Sequence, residues 1–175
     1  GYSSMTLSRV FGEFDMMGFG TIKKQGRQKI LSFKEERGQL WEKVLPLLKS
    51  PIKQRVEVVV NDLEKLAQSG LSAMSQYGMT VEPEKPCYAI DKNSWKMFSQ
   101  QSVIEQPNPD ELKHEILLEI WHYSPKLFAR KKVVDPLSLY LTFEDREEDD
   151  ETVEKNEYMK KFRRYISQAM KGASS

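Results

Sequence analysis

His114, Glu115, Glu119 and His122 fall within one short segment, and imidazoles grouped with carboxylates are the raw material of a metal site. On a helix the four would crowd one side. On a strand, the spacing of eight leaves the histidines on one face but more than about 20 Å apart, too far to share an ion. The β-branched and aromatic content of the run His114–Tyr123, and the Ser124-Pro125 that follows, favour the strand. Glu115 and Glu119 with Lys131 or Lys132 have the make-up of a degenerate metal-dependent nuclease. Four residues along a strand, however, separate two carboxylates by about 13 Å. Cys87, set between Pro86 and Tyr88 in an apolar run, reads as a small buried hydrophobe rather than a nucleophile. There is no glycine-rich phosphate loop and no Gly-x-Ser-x-Gly elbow. The expectation is a non-enzymatic protein with no catalytic residues, metal or cofactor, in which these histidines and glutamates are surface residues.

The chemistry that remains is recognition, and it gathers at the start of the chain. Leu7, Val10, Phe11, Phe14 and Met17 recur at helical spacing, Ser3 or Ser4 can cap the free N–H groups, and Gly18 can close the helix. The opposite face of the first turns shows Ser4, Met5, Ser8 and Arg9. Short hydroxyl side chains let a helix backbone approach a major groove, where an arginine reads guanine or grips phosphate. Thr21-Ile22-Lys23 and Lys29–Phe33 then alternate as two strands around a turn at Gln25-Gly26-Arg27. Lysines and an arginine on such a hairpin suit the phosphate backbone or the minor groove. Ser4, Thr6, Ser8, Arg9, Lys23, Lys24, Arg27 and Lys29 are therefore the candidate DNA-binding residues.

Charge distribution agrees with that placement. The 175 residues carry 27 Lys+Arg against 26 Asp+Glu, so whole-chain charge does not select a partner. Within residues 1–34, though, Arg9, Lys23, Lys24, Arg27, Lys29 and Lys34 face only Glu13 and Asp15. The run Glu144–Glu151 is the opposite, an acidic stretch read as a solvated loop. A single cysteine cannot form an internal disulfide, no apolar run reaches membrane-spanning length, and no signal-peptide pattern is present. These point to a cytoplasmic protein that makes no use of a membrane.

Other elements must support this segment. Residues 35–49 read as a helix with Leu40, Trp41, Val44, Leu47 and Leu48 on one side, which Pro46 should kink or bring to its last turn. A strand is expected at Arg55–Val60, a helix capped by Asn61 or Asp62 around Leu63–Ala73, and a strand at Cys87–Ile90. A short helix should start at Asp91 and carry Trp95 and Phe98, with a strand at Val103-Ile104 and a turn at Pro107-Asn108-Pro109-Asp110. Val133-Val134 is a brief strand, Asp135-Pro136 opens a helix over Leu137–Thr142, and Val153 to Ala169 form a terminal helix. Trp41, Trp95 and Trp121 are expected in the core. The fold class is α+β: residues 1–49 form part of a winged helix-turn-helix with a linker helix, and residues 50–175 a small α/β domain.

The run Tyr2–Arg9, the segment Phe14–Phe19 and the basic hairpin resemble the recognition helix and wing of bacterial MarR-like winged-helix regulators, which show Ser-x-x-Thr-x-Ser-Arg followed by an apolar pair and Gly-Leu. Phe14-Asp15 stands where Leu-Glu is more usual. Ser69–Ala73, Pro86–Ile90 and Val134–Leu141 resemble the C-terminal domain of AbiEi-type antitoxin-like regulators. The resemblance implies a DNA-binding transcriptional repressor or antitoxin, binding double-stranded DNA as a homodimer, with a toxin as further partner. The alternatives are a protein-interaction or ligand-sensing module, or a degenerate metal-dependent nuclease. The recognition helix lies so near residue 1 that the helices bracing it would precede this sequence. The 175 residues alone are accordingly expected to bind DNA weakly or not at all.

Overall fold

A computed structural model describes residues 3–80, 83–104, 114–144 and 153–172 of a mixed α+β chain. It divides into two compact units, Gly1–Leu48 with Met170–Ser175, and Lys49–Ala169. The expected turn at Pro107–Asp110 and the acids Asp145–Glu151 lie outside the described residues.

In the first unit, helix α1 (Ser4–Met16) begins on Ser3, whose Oγ accepts the Thr6 N–H at 3.2 Å. Gly18 ends it at φ 71°. There the Phe19 N–H donates to the Phe14 carbonyl, and the Gly18 N–H to that of Asp15. The Phe14 and Phe19 rings meet edge-on at 6.2 Å, the apolar contact that accompanies this left-handed stop. Strands β1 (Thr21–Gln25) and β2 (Gln28–Ser32) form an antiparallel hairpin, and Phe33 beyond it packs edge-on against Phe14. Helix α2 (Arg37–Val44) buries Trp41 and tightens into a 3₁₀ turn, Leu45–Leu47, at Pro46, which has no N–H to continue the ladder. The apolar stripe expected on α1 is incomplete. No α1 residue is fully buried, Leu7 is 43 % exposed, and Met17 lies past the helix at 58 %. Leu47 and Leu48 are exposed as well.

The second unit is a four-stranded sheet in the order β3-β6-β5-β4: β3 (Ile52–Val60), β6 (His114–Trp121), β5 (Cys87–Asp91) and β4 (Ala67–Gln68). β5 and β6 are parallel, with helix α4 (Lys92–Ile104) between them in the chain, and the other pairs are antiparallel. One face supplies Val60, Ile90, Ile116, Leu118 and Ile120 to a core on which Trp95 and Phe98 of α4 pack. The other face bears Arg55, Cys87, Ala89, Glu119 and Trp121. Of these, Glu119 and Cys87 bond to the Ser69–Ser72 segment that opens helix α3 (Gly70–Gln76), and Arg55 to helix α5 (Pro136–Glu144). Helix α6 (Val153–Gly172) buries Phe162 and Ile166, and its Phe162 and Tyr165 rings meet Tyr77. Asp135 caps α5 as expected, accepting the N–H groups of Leu137 and Ser138.

Two expected elements are replaced. The helix around Leu63–Ala73 is instead an Asx turn, in which Asp62 accepts the Glu64 N–H, then strand β4, then α3 starting only at Gly70. Buried Leu66 and Ala67 gain more from joining the sheet than from a solvent-facing helix, and propensity yields to packing. The strand expected at Val103-Ile104 is the end of α4, which continues the helical spacing begun at Trp95.

Asp91 is where β5 becomes α4. Its carboxylate accepts the N–H groups of Asn93 and Ser94 and the Ser94 hydroxyl. Burial pushes this carboxyl up, but the Ser94 and Asn93 donors outweigh it and hold it below its ordinary value of 3.8. A depressed carboxyl adds stability that is fully present above that value and is lost as pH falls through the lower folded one. Asp91→Ala should cost about 1 kcal/mol at neutral pH. Asp91→Asn, which keeps a capping oxygen, should cost little there and remove this part of the acid sensitivity; urea melts of both variants between neutral pH and pH values below 3.8 test it.

Candidate nucleic-acid interface

Position by position, the first unit shows which candidate residues meet. Ser4 stands exposed one turn before Ser8 on α1. Thr6 belongs to the cap, its hydroxyl 2.8 Å from Ser3 Oγ. Arg9 Nε lies 3.6 Å from Glu13 Oε1, both largely exposed, an i,i+4 pair of small worth that releases its arginine easily. Ser8 accepts a hydrogen bond from Lys29 Nζ at 3.3 Å, so the helix and the hairpin present one continuous polar edge.

The hairpin register adds a pairing that the sequence reading missed. Its turn is two residues, Gly26-Arg27, rather than the three expected, so Lys24 stands directly across from Lys29. A one-residue change in a turn shifts every cross-strand partner. Lys24, Lys29, Leu31 and Phe33 share the face turned to α1, as the Lys29–Ser8 and Phe33–Phe14 contacts show. Lys23 pairs with Ile30 on the opposite face, and Arg27 is exposed at the tip. Among the described residues neither Lys24 nor Lys29 has a carboxylate partner. Like charges directly opposite on a hairpin destabilise it unless an anion lies between them. The first turn of α1 carries no acid to neutralise the positive end of its helix dipole.

Lys43 shapes the base of this unit. Its ammonium lies 2.8 Å from Glu35 Oε1, 3.4 Å from the Gly18 carbonyl and 5.3 Å from the centre of the Phe19 ring. The hydrogen bond from Lys43 holds the Glu35 carboxyl below its ordinary value.

The groups weighed for catalysis in the second unit do not converge. His114 starts β6 and His122 lies just beyond its end, and Glu115 is exposed. Glu119 corrects the expectation of a surface residue, being 0 % exposed. One carboxylate oxygen accepts from Ser69 Oγ at 2.6 Å and Trp121 Nε1 at 3.2 Å, and the other faces Arg55 Nε at 3.5 Å. Arg55 in turn donates to the Thr142 carbonyl at 3.1 Å. A carboxylate so fully occupied is a buried structural charge. Among the described residues no three His, Cys, Asp or Glu side chains are placed to hold a metal ion. No helix among them is long and apolar enough to cross a membrane. Cys87 is buried against Gly70 and ordered by Ser72, whose Oγ accepts its N–H. Comparison of this chain with family models, curated proteins and solved structures finds no match.

Proposed function

We propose that this chain is a DNA-binding transcriptional regulator that works without chemistry, with α1 as recognition helix and the β1–β2 hairpin as a basic wing. Ser4, Ser8 and Arg9 meet base edges or phosphates, Thr6 fixes the cap, and Lys23, Lys24, Arg27 and Lys29 hold the backbone. The observation that carries this reading is the facing pair Lys24 and Lys29, unneutralised and joined to α1 through Ser8. Phosphate is the anion that turns this repulsion into binding energy. In keeping with the winged-helix resemblance, two copies bind a palindrome, and the α/β unit serves regulation, including contact with a toxin.

Gel-shift titrations at low salt, where even the weak binding expected of these 175 residues is read, test it against the gene's own upstream DNA and against unrelated duplex. Arg9→Ala should reduce discrimination between the two by about tenfold. Lys24→Ala/Lys29→Ala should weaken both complexes alike and lower the slope of log affinity against log salt by about 2. Equal loss on every sequence for Arg9→Ala contradicts the base-reading role. A second reading, an interaction module scaffolded by the helix and hairpin, is favoured by the exposed Met5, Leu7 and Met16 of α1. It predicts no shift on any duplex even at low salt.

A further inference from the structure

We propose that the loop 125–132 of the second unit is a separate contact for duplex DNA, in which Arg130, Lys131 and Lys132 grip phosphates while Leu127 and Phe128 wedge at a base step. The inference rests on the reading of the chain as a DNA-binding protein but uses a surface remote in sequence from α1 and the hairpin.

The segment from Ser124 to Val134 holds Lys126, Arg130, Lys131 and Lys132 and no acid, and all four cations are exposed. Among the described residues, the one carboxylate paired with these cations is Glu64, 3.8 Å from Lys132, and the two largely exposed groups are readily exchanged for a phosphate contact. Two apolar side chains stand in the midst of this charge. Pro125 is buried and anchors a 3₁₀ turn, Pro125–Leu127, at whose end Leu127 and Phe128 are 61 % and 63 % exposed.

The backbone supplies an independent sign. Arg130 and Val133 exchange both N–H···O bonds at 3.0 Å, closing a tight turn in which Lys131 (φ 51°) and Lys132 (φ 62°) are both left-handed. Asn-Gly occupies such a turn with little strain, whereas lysine does not. The turn is also fixed from outside, because Gln68 donates to the Lys132 carbonyl at 2.7 Å and accepts from the Val134 N–H at 3.0 Å. Fold stability therefore disfavours lysine at both positions, and what lysine adds there is outward charge. Strain of this kind, held in place by surrounding structure, marks functional sites.

Cations beside an apolar pair are the equipment of proteins that grip the minor groove and part a base step with Phe or Leu. An anionic bilayer also attracts such residues, but its hold scales with apolar area, and two side chains offer little. A base step has room for just one or two.

The full chain tests this with Lys131→Asn/Lys132→Gly and with Phe128→Ser. The lysine variant should melt about 3 °C higher, because strain is relieved. It should nevertheless bind unrelated duplex about tenfold more weakly, with a salt slope lower by about 2. Phe128→Ser should keep the slope and lose the bend seen by energy transfer between duplex ends. A lysine variant that melts higher and binds duplex like the parent overturns the inference, as does a loss confined to phosphatidylserine vesicles. If the loop variants lose binding and Lys24→Ala/Lys29→Ala does not, the loop inference stands and the role given to α1 and the hairpin falls. The reverse pattern removes the loop and keeps them, and a parent chain that binds no duplex removes both.

Discussion

Arg55→Met should lower the stability of the second unit by about 3 kcal/mol. The cost comes from what is left behind. Glu119 lies opposite Arg55 in the β3–β6 register and has no exposure to water. Without the guanidinium its charge would rest on two neutral donors, Ser69 Oγ and Trp121 Nε1. The Thr142 carbonyl would lose its donor at the same time. The Nε–Oε1 separation of 3.5 Å and the 29 % exposure of the Arg55 side chain place the cost at the lower end for buried pairs. Arg55→Met/Glu119→Met should recover much of the loss, because two apolar side chains leave no charge unpaired. Urea unfolding of the two single variants and the double measures the coupling. A loss under about 1 kcal/mol for Arg55→Met would show that water reaches Glu119 and that the network is not a buried charge pair.

Signals carried by neighbours in sequence were legible in advance. Ser3, the apolar spacing of α1 and Gly18 set the helix and its stop within a few residues, and Asp91 and Asp135-Pro136 mark the starts of α4 and α5. The run from His114 carries enough β-branched and aromatic weight to be a strand. What was not legible depends on partners far along the chain. Glu119 looks like a surface acid in a strand assumed to have one wet face. β6 is instead a central strand covered on both sides, where a lone carboxylate must find Arg55, sixty-four residues away. Leu66 and Ala67 look helical until β5 is available to pair with them. In the candidate interface the residue types were readable, but the facing of Lys24 and Lys29 depended on whether the turn held two residues or three. The strained lysines at 131 and 132 carry no turn signal in their own residue types, because Gln68 on another strand holds the turn.

Gly70→Ala should cost about 3 kcal/mol, from two sources that a second substitution separates. Gly70 has φ 51°, where an alanine is strained by roughly 1–2 kcal/mol. A Cβ there would also lie 2.8 Å from Cys87 Sγ and 3.1 Å from its Cβ, so something must move. Cys87 is a poor candidate to yield, since its backbone is bonded on both sides, its carbonyl accepting from Ser69 and its N–H donating to Ser72 Oγ. The displacement would fall on Ser69, which holds Glu119 at 2.6 Å, and on Gln68 beside it, which pins the Lys131-Lys132 turn. Gly70→Ala/Cys87→Ala removes the sulfur and leaves the backbone strain, so the pair should couple favourably by about 1 kcal/mol with a residual loss near the strain alone. An unchanged melting temperature for Gly70→Ala would mean that the close approach to Cys87 relaxes without cost. Stability and the loop's affinity for duplex should fall together in this variant, because Ser69 and Gln68 are consecutive residues of one backbone.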